Sequence, residues 1–179
     1  SLAVVYLGLD LASGLNNWSL TIDTATARPS RGLMGGSGSI SKAQKYLEEL
    51  ALLNRSIIHI KENYVDPTRV NERKMVAAAL ESIQEELDEV LVRFSPAGPQ
   101  SVPESVTVKV GTSREQFNLK DVTNLWTLCF KLKDIFRFIA GELKSIPKPQ
   151  EVEYAAINGL LSTLDPHSVL LRPAEYREM

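Results

Sequence analysis

The chain has 179 residues, of which 44% are hydrophobic and 23% are charged, as in ordinary globular proteins. This composition excludes collagen and low-complexity disorder, and a single cysteine excludes a disulfide-stapled miniprotein. Because 20 Lys and Arg residues face 22 Asp and Glu residues, no positive excess attracts phosphates, and we expect no nucleic-acid partner.

The first 40 residues divide into an apolar and a polar segment. Residues 2–12 are the most apolar stretch, but they are eleven residues that include Asp10, whereas a membrane-spanning helix needs about 20. Residues 1–20 are therefore interpreted as a candidate remnant of a signal or anchor segment, the only predicted route to a membrane. Residues 21–40 lack a hydrophobic period and predict a flexible linker, followed by a helical domain over residues 41–171.

Two amphipathic helices follow the linker. Apolar residues recur at steps of four and three from residue 46 to residue 64, and again from residue 76 to residue 94. This spacing predicts one helix from Ser41 to the turn at Asp66-Pro67 and a second over residues 68–94. Two helices joined by a short turn form an antiparallel hairpin.

A small β-hairpin is predicted at about residues 106–119. It follows a Pro-rich loop, and alternating valines, a turn at Gly111 and a short return strand are typical of a hairpin. Two strands alone are marginal in water, so their apolar face must pack on helices or on a sheet from elsewhere. That face consists of Val106, Val108, Val110 and Phe117.

A third helix is predicted after Asp121 or Thr123, either of which can cap it. Its apolar arc is too wide for one neighbouring helix, so the helix is either central to the core or in contact with another chain. The candidate interface residues are Trp126, Phe130 and Phe138. Prolines at 147 and 149 end this helix, and residues 151–164 predict a fourth. The fold class is thus mainly α (α+β), with helical hairpins and one small antiparallel β-hairpin.

The two predicted helical hairpins resemble each other in sequence. Residues 57–83 resemble residues 135–161 at a constant offset of 78, and both run helix, proline turn, helix. An ancient duplication explains this, and so does the apolar periodicity that any two helical hairpins share.

The only compact group of catalytic-type residues is Asp165, Pro166, His167 and Ser168. Members of a catalytic triad must converge from separate places in the fold, whereas immediate neighbours point in different directions. We interpret the group as a turn in which the Asp side chain accepts from backbone donors, followed by a buried strand at residues 169–171. A hydrolase that uses His167 and Ser168 is the least favoured alternative.

No other pattern predicts a metal, a cofactor or a catalytic residue. Residues 32–42 superficially resemble a phosphate loop, but Ser41 stands where a Walker motif needs Gly. His59 has no carboxylate or Cys three or four residues on, and Cys129 is alone, so no zinc spacing can be drawn. The acidic run over residues 81–89 is interpreted as a solvated helix face.

Two segments resemble a known family. Residues 57–67, with Asn63-Tyr64-Val65-Asp66-Pro67, and residues 151–179, with Asp165-Pro166-His167-Ser168, are similar to the segment before the PDZ domain of carboxyl-terminal processing (tail-specific) serine proteases. The match covers 11 and 29 residues, 40 in all. In that family one helix separates the two motifs, whereas residues 68–150 intervene here, which suggests an elaborated branch.

The resemblance implies a parent protein in the periplasm or cell envelope that cleaves protein substrates near their C-termini. Its Ser nucleophile and Lys base would follow the PDZ domain and so lie outside this sequence. The chain would be an N-terminal, noncatalytic assembly and regulatory module that forms homo-oligomers and packs on the downstream PDZ domain and protease core. Residues 172–179 would begin the connection to that domain. The alternative is a stand-alone helical adaptor that binds a protein through Trp126, Phe130 and Phe138.

Overall fold

The computed structural model describes residues 47, 49–98, 101–143, 145–146 and 148–178. The segments predicted as a leader remnant (1–20) and as a linker (21–40) lie outside these residues. The described chain contains five helices and one three-stranded antiparallel sheet around a shared hydrophobic core, which confirms the mainly α (α+β) class. Within these ranges, no helix has both the length and the apolar character that a bilayer crossing requires.

The first hairpin consists of α1 (Ala51–Asn63) and α2 (Glu72–Glu86), linked by a 3-10 turn at Pro67–Arg69. The expectation of one unbroken helix up to the turn was wrong. Leu47 and Glu49 are helical, but Leu50 interrupts the helix with a left-handed backbone at φ 43°. A leucine there is strained, and its fully buried side chain helps to hold it in place.

The second predicted helix ends at Glu86, and the chain continues as strand β1 (Val90–Ser95) instead of reaching residue 94 as a helix. Val90 and Phe94 fit a helical repeat, but together with Val92 they also alternate, as in a half-buried strand. Pairing with a neighbouring strand stabilises this segment as a strand and not as a continuation of the helix. Gln84 accepts a hydrogen bond from the Val92 N–H at 2.7 Å, which occupies part of the outer edge of β1.

Strands β2 (Ser105–Val110) and β3 (Ser113–Asn118) complete a sheet of order β1-β2-β3. The predicted hairpin is therefore confirmed and extended by a third strand. Gly111 turns the chain between β2 and β3 at φ 58°, a left-handed value that glycine adopts at little cost. The three valines of β2 are buried against the helices, and the opposite face of the sheet is turned to solvent.

Helix α3 (Leu125–Glu142) is capped by Asn124, not by Asp121 or Thr123 as predicted. The Asn124 carboxamide oxygen accepts from the backbone N–H groups of Trp126 and Thr127 at 3.0 and 2.9 Å, so it satisfies two free donors of the first turn. Asp121 pairs with Lys131 instead, at 2.8 Å. The buried face of α3 contacts α1, α2 and the sheet, so the helix is central to the core.

Helix α4 (Pro149–Ser162) makes its most extensive contact with α2. Gly159 permits this approach, because a Cβ there would lie 2.5 Å from the Ala78 carbonyl oxygen and 2.6 Å from the Ser82 hydroxyl. The starts of α2 and α4 are separated by 149 − 72 = 77 residues, which is close to the offset of 78 between the two similar sequence segments.

The chain after α4 contains a turn and the short helix α5 (Pro173–Glu178). The strand predicted at residues 169–171 was wrong, although Leu170 is buried. The Asn158 side chain accepts from the Leu170 N–H at 2.7 Å and donates to its carbonyl at 3.2 Å. Because one side chain satisfies both backbone groups, no partner strand is needed.

Candidate functional site

The Asp165-Pro-His-Ser motif is a closed turn at the end of α4. Asp165 accepts from the His167 N–H at 2.9 Å and from the Ser168 hydroxyl at 2.5 Å. The Ser168 hydrogen bond in particular lowers the pKa of Asp165. His167 is exposed, and the hydroxyl of Ser168 donates to the carboxylate and not to the imidazole. The arrangement needed for a Ser-His-Asp triad, with the base between the other two groups, is not formed.

The Asn63-Tyr-Val-Asp-Pro motif ends in a turn of the same design. Asp66 accepts from the backbone N–H of Thr68 at 3.2 Å and from its hydroxyl at 2.5 Å, and it pairs with Arg69 at 3.3 Å. The Thr68 hydroxyl is the main cause that lowers the pKa of Asp66. Asn63 points back along α1 instead, where its amide donates to the His59 carbonyl at 3.2 Å.

The first motif and the turn that follows it lie against the second motif. Arg69 donates from its guanidinium to the carbonyl oxygen of Leu164, over 3.3 Å. Burial raises the pKa of Tyr64, and the negative charge of Asp165 raises it further. We name the set of Tyr64, Asp66, Arg69, Leu164 and Asp165 the motif joint. Most of these residues could be identified from the sequence, but their proximity in the fold could not.

A buried carboxylate supports the fold next to this joint. Glu153 on α4 is completely buried, and its Oε1 accepts from the Leu53 N–H in the first turn of α1 at 3.0 Å. The side chain of one helix thus caps another helix that starts at the strained Leu50. Burial raises the pKa of the neighbouring Tyr154, and the charge of Glu153 adds to that effect. The only sequence signal was an acidic residue among apolar ones.

An open groove of about 350 Å³ lies between the end of α1 and the start of α3. Its walls include Ile60, Tyr64 and Trp126, and the Lys61 ammonium lies 5.1 Å from the centre of the Trp126 ring. Such a cation–π contact is worth about 0.5–1 kcal/mol at an exposed site. Trp126 nevertheless remains 45% exposed, so a binding surface is available beside the motif joint.

The three predicted interface residues do not form one patch of equal exposure. Phe130, one turn after Trp126, is 64% exposed. Phe138 is half-buried, and its ring meets that of Phe117 edge-on at 6.0 Å between centroids, so it joins α3 to the sheet. The exposed aromatic surface of α3 therefore consists of Trp126 and Phe130.

The remaining nucleophile and ligand candidates have structural partners. Cys129 is buried, its thiol donates to the Asn54 side chain at 3.0 Å, and burial raises its pKa, which disfavours the reactive thiolate. The His59 ring lies 3.2 Å from the Asn63 amide. Among the described residues, no group of three or more His, Cys, Asp or Glu side chains could hold a metal ion.

Comparison of the chain with protein-family models, with curated proteins and with solved structures gives no match.

Proposed function

We propose that this chain is a noncatalytic, N-terminal assembly and regulatory module of a carboxyl-terminal processing serine endopeptidase of the periplasm or cell envelope. Proteolysis then belongs to the parent protein, through a Ser nucleophile and a Lys base in a part of the molecule that this sequence does not contain. The partners of the module are the PDZ domain and protease core of the same protein and further copies of the chain.

The observation that carries the proposal is the motif joint. The two segments that resemble the protease family are separated by residues 68–150, yet the negative charge of Asp165 in the second raises the pKa of Tyr64 in the first. Arg69, two residues beyond the end of the first segment, donates to the carbonyl of Leu164 in the second. An insertion that leaves both ends of a family segment in contact is compatible with that segment keeping its role. The β-sheet and α3 are then additions to an existing helical joint.

The chemistry of the motif residues also favours a noncatalytic role. Both Asp-Pro turns use their carboxylates to satisfy local N–H and O–H donors, and a carboxylate in that position stabilises a turn. Exposed Trp126 and Phe130 beside the groove suit contact with another protein surface, since aromatic residues are enriched at such contacts.

The coding sequence on both sides of this segment is the primary test. We expect the reading frame to continue past Met179 into a Gly-rich PDZ domain and then a domain with the Ser and Lys of the protease. A frame that stops at Met179 would contradict the proposal. It would favour the stand-alone adaptor, for which exposed Trp126 and Phe130 supply the docking surface.

Hydrolysis assays provide the second test. We expect the purified 179-residue chain to cleave no peptide substrate, and we expect His167→Ala and Ser168→Ala to be equally inactive. Cleavage that copurifies with the chain and disappears in His167→Ala would overturn the noncatalytic assignment and support the hydrolase alternative.

A further inference from the structure

We propose that two copies of this chain associate through the basic outer face of the sheet and the acidic turn that precedes β1. The inference rests on the homo-oligomer of the proposed function and names the surface that forms it.

The outer face of the sheet carries three cations and no carboxylate. Lys109 on β2 lies directly opposite Arg114 on β3 and opposite Leu91 on β1, and Arg93 follows one step along β1. Like charges directly opposite each other destabilise a strand pair. Together with Thr107, these residues line a depression of about 290 Å³. Within the described ranges, no ion pair joins the three cations to a carboxylate.

The end of α2 carries an excess of negative charge. Glu85 and Glu86 lie in the last turn of α2, which contains no basic residue, and Asp88 and Glu89 follow directly. Carboxylates at the C-terminus of a helix are repelled by its dipole. All four side chains are exposed, and no cation of the described chain pairs with them. We call these four residues the acidic turn.

The two surfaces adjoin at one end of the sheet. The Gly111 N–H donates to the Glu89 carbonyl at 3.3 Å, so the acidic turn lies beside the β2–β3 turn that separates Lys109 from Arg114. A two-fold axis near this point lets the acidic turn of each copy meet the basic face of the other, and both contacts form at once. Gln84 obstructs edge-to-edge pairing at β1, so the contact uses the face of the sheet.

Sedimentation velocity of the 179-residue chain tests the inference at two ionic strengths. We expect a dimer at about 0.02 M salt whose association constant falls at least about tenfold by about 0.5 M salt, because exposed charges are screened over that range. Arg93→Glu with Arg114→Glu changes the charge of the basic face from +3 to −1. Glu85→Lys with Glu86→Lys and Glu89→Lys changes the charge of the acidic turn from −4 to +2. Each of these two variants alone should be monomeric.

A mixture of the two charge-reversed variants is the decisive measurement. Their reversed charges complement each other at both contacts, so the mixture should dimerise again. Arg55→Glu with Arg177→Glu alters net charge by the same amount as the basic-face variant, at exposed positions outside the sheet and α2, and should still dimerise. Circular dichroism of each variant checks that it is folded.

Three results would overturn the inference: a monomer at low salt, a dimer indifferent to salt and to both reversals, or a mixture that stays monomeric. A dimer whose association does not depend on salt would mean that the two copies associate through another surface. The homo-oligomer of the proposed function would then be retained. A monomer at every ionic strength removes the oligomer as well, but the protease-module assignment is then still decided by the coding sequence.

Discussion

Two helix contacts differ in the interactions that form them: the contact of α2 with α4 and the contact of α1 with α3. At the first, Gly159 brings two backbones so close that a single Cβ would meet the Ala78 carbonyl. At the second, polar and aromatic side chains mediate the contact, through Cys129 with Asn54 and Lys61 with Trp126. The tight contact has no room for a ligand, whereas the looser one leaves a groove and exposed aromatic surface. We therefore expect substitutions at the first to change folding and substitutions at the second to change binding.

Apart from truncation of a large core side chain, the largest effect on stability is expected for Gly159→Ala. The new Cβ would lie 2.5 Å from a backbone oxygen of α2, so the helices must separate. Forcing a methyl group into a well-packed core typically costs about 1–3 kcal/mol, and here the obstacle is backbone that cannot change rotamer. Urea denaturation of the 179-residue chain measures the loss in free energy of unfolding.

Gly141→Ala is the matched control for that prediction. Gly141 lies in the last turn of α3, and a Cβ there meets nothing within 4 Å. Alanine favours helix over glycine by up to about 1 kcal/mol, so this variant should be neutral or slightly more stable. Equal destabilisation by both substitutions would show that the approach of α2 and α4 is not what Gly159 provides.

Glu153→Ala should produce the next largest loss of stability. It removes the acceptor for the Leu53 N–H in a fully buried place, and an unsatisfied buried donor costs about 1–3 kcal/mol. Glu153→Gln keeps a side-chain oxygen at that position and should lose less. If the two variants unfold at the same urea concentration, the hydrogen bond to α1 is not the source of the stabilisation.

The helices could be predicted from the sequence, but the cap that Glu153 provides and the break at Leu50 could not. The spacing of leucines and isoleucines predicted four helices, because burial of one face requires a period that the sequence shows directly. Glu153 lies 100 residues from the helix that it caps, and no local pattern contains that pairing. The break at Leu50 was missed for the same reason, since leucine is a good helix former and the cap lies far away in the chain.

The strand β1 was missed because its residues fit two periods at once. Val90 and Phe94 continue the helical repeat of α2, and only strand pairing with β2 separates the two interpretations. For the candidate site, the sequence identified the motif residues and the turn at Asp165. It did not indicate that Arg69 would donate to the carbonyl of Leu164, because the two residues lie 95 positions apart in the chain.

A smaller effect is expected in acid, through the two Asp-Pro turns. Hydrogen bonds from Ser168 and Thr68 are the main causes that lower the pKa values of Asp165 and Asp66. Because the folded values lie below the unfolded value of about 3.9, the carboxylates stabilise the fold above about pH 4, and this stabilisation is lost as pH falls through the folded values. Denaturation at pH values from about 5 downwards should show that decline.

Removing the two hydroxyl donors sharpens this prediction. Ser168→Ala with Thr68→Ala should bring both folded pKa values nearer to the unfolded ones and flatten the decline below about pH 4. Thr163→Ala removes a hydroxyl that donates to the Leu160 carbonyl and to no carboxylate, so its pH profile should keep the slope of the unaltered chain. An unchanged slope in the double variant would mean that these turns do not couple folding to pH.

The smallest effect on stability, and a large one on binding, is expected at the exposed aromatics of α3. Phe130→Ser should change the free energy of unfolding by no more than about 0.5 kcal/mol, because most of the ring already faces water. Leu132→Ala, two residues further along the helix and fully buried, should cost about 2–5 kcal/mol. In the complete natural protein, Trp126→Ser with Phe130→Ser should weaken the contact between this module and its partner surface, measured as altered assembly or peptide turnover. Normal assembly and turnover in that variant would show that the groove between α1 and α3 is not a contact surface, and the difference between the two helix contacts would then concern packing alone.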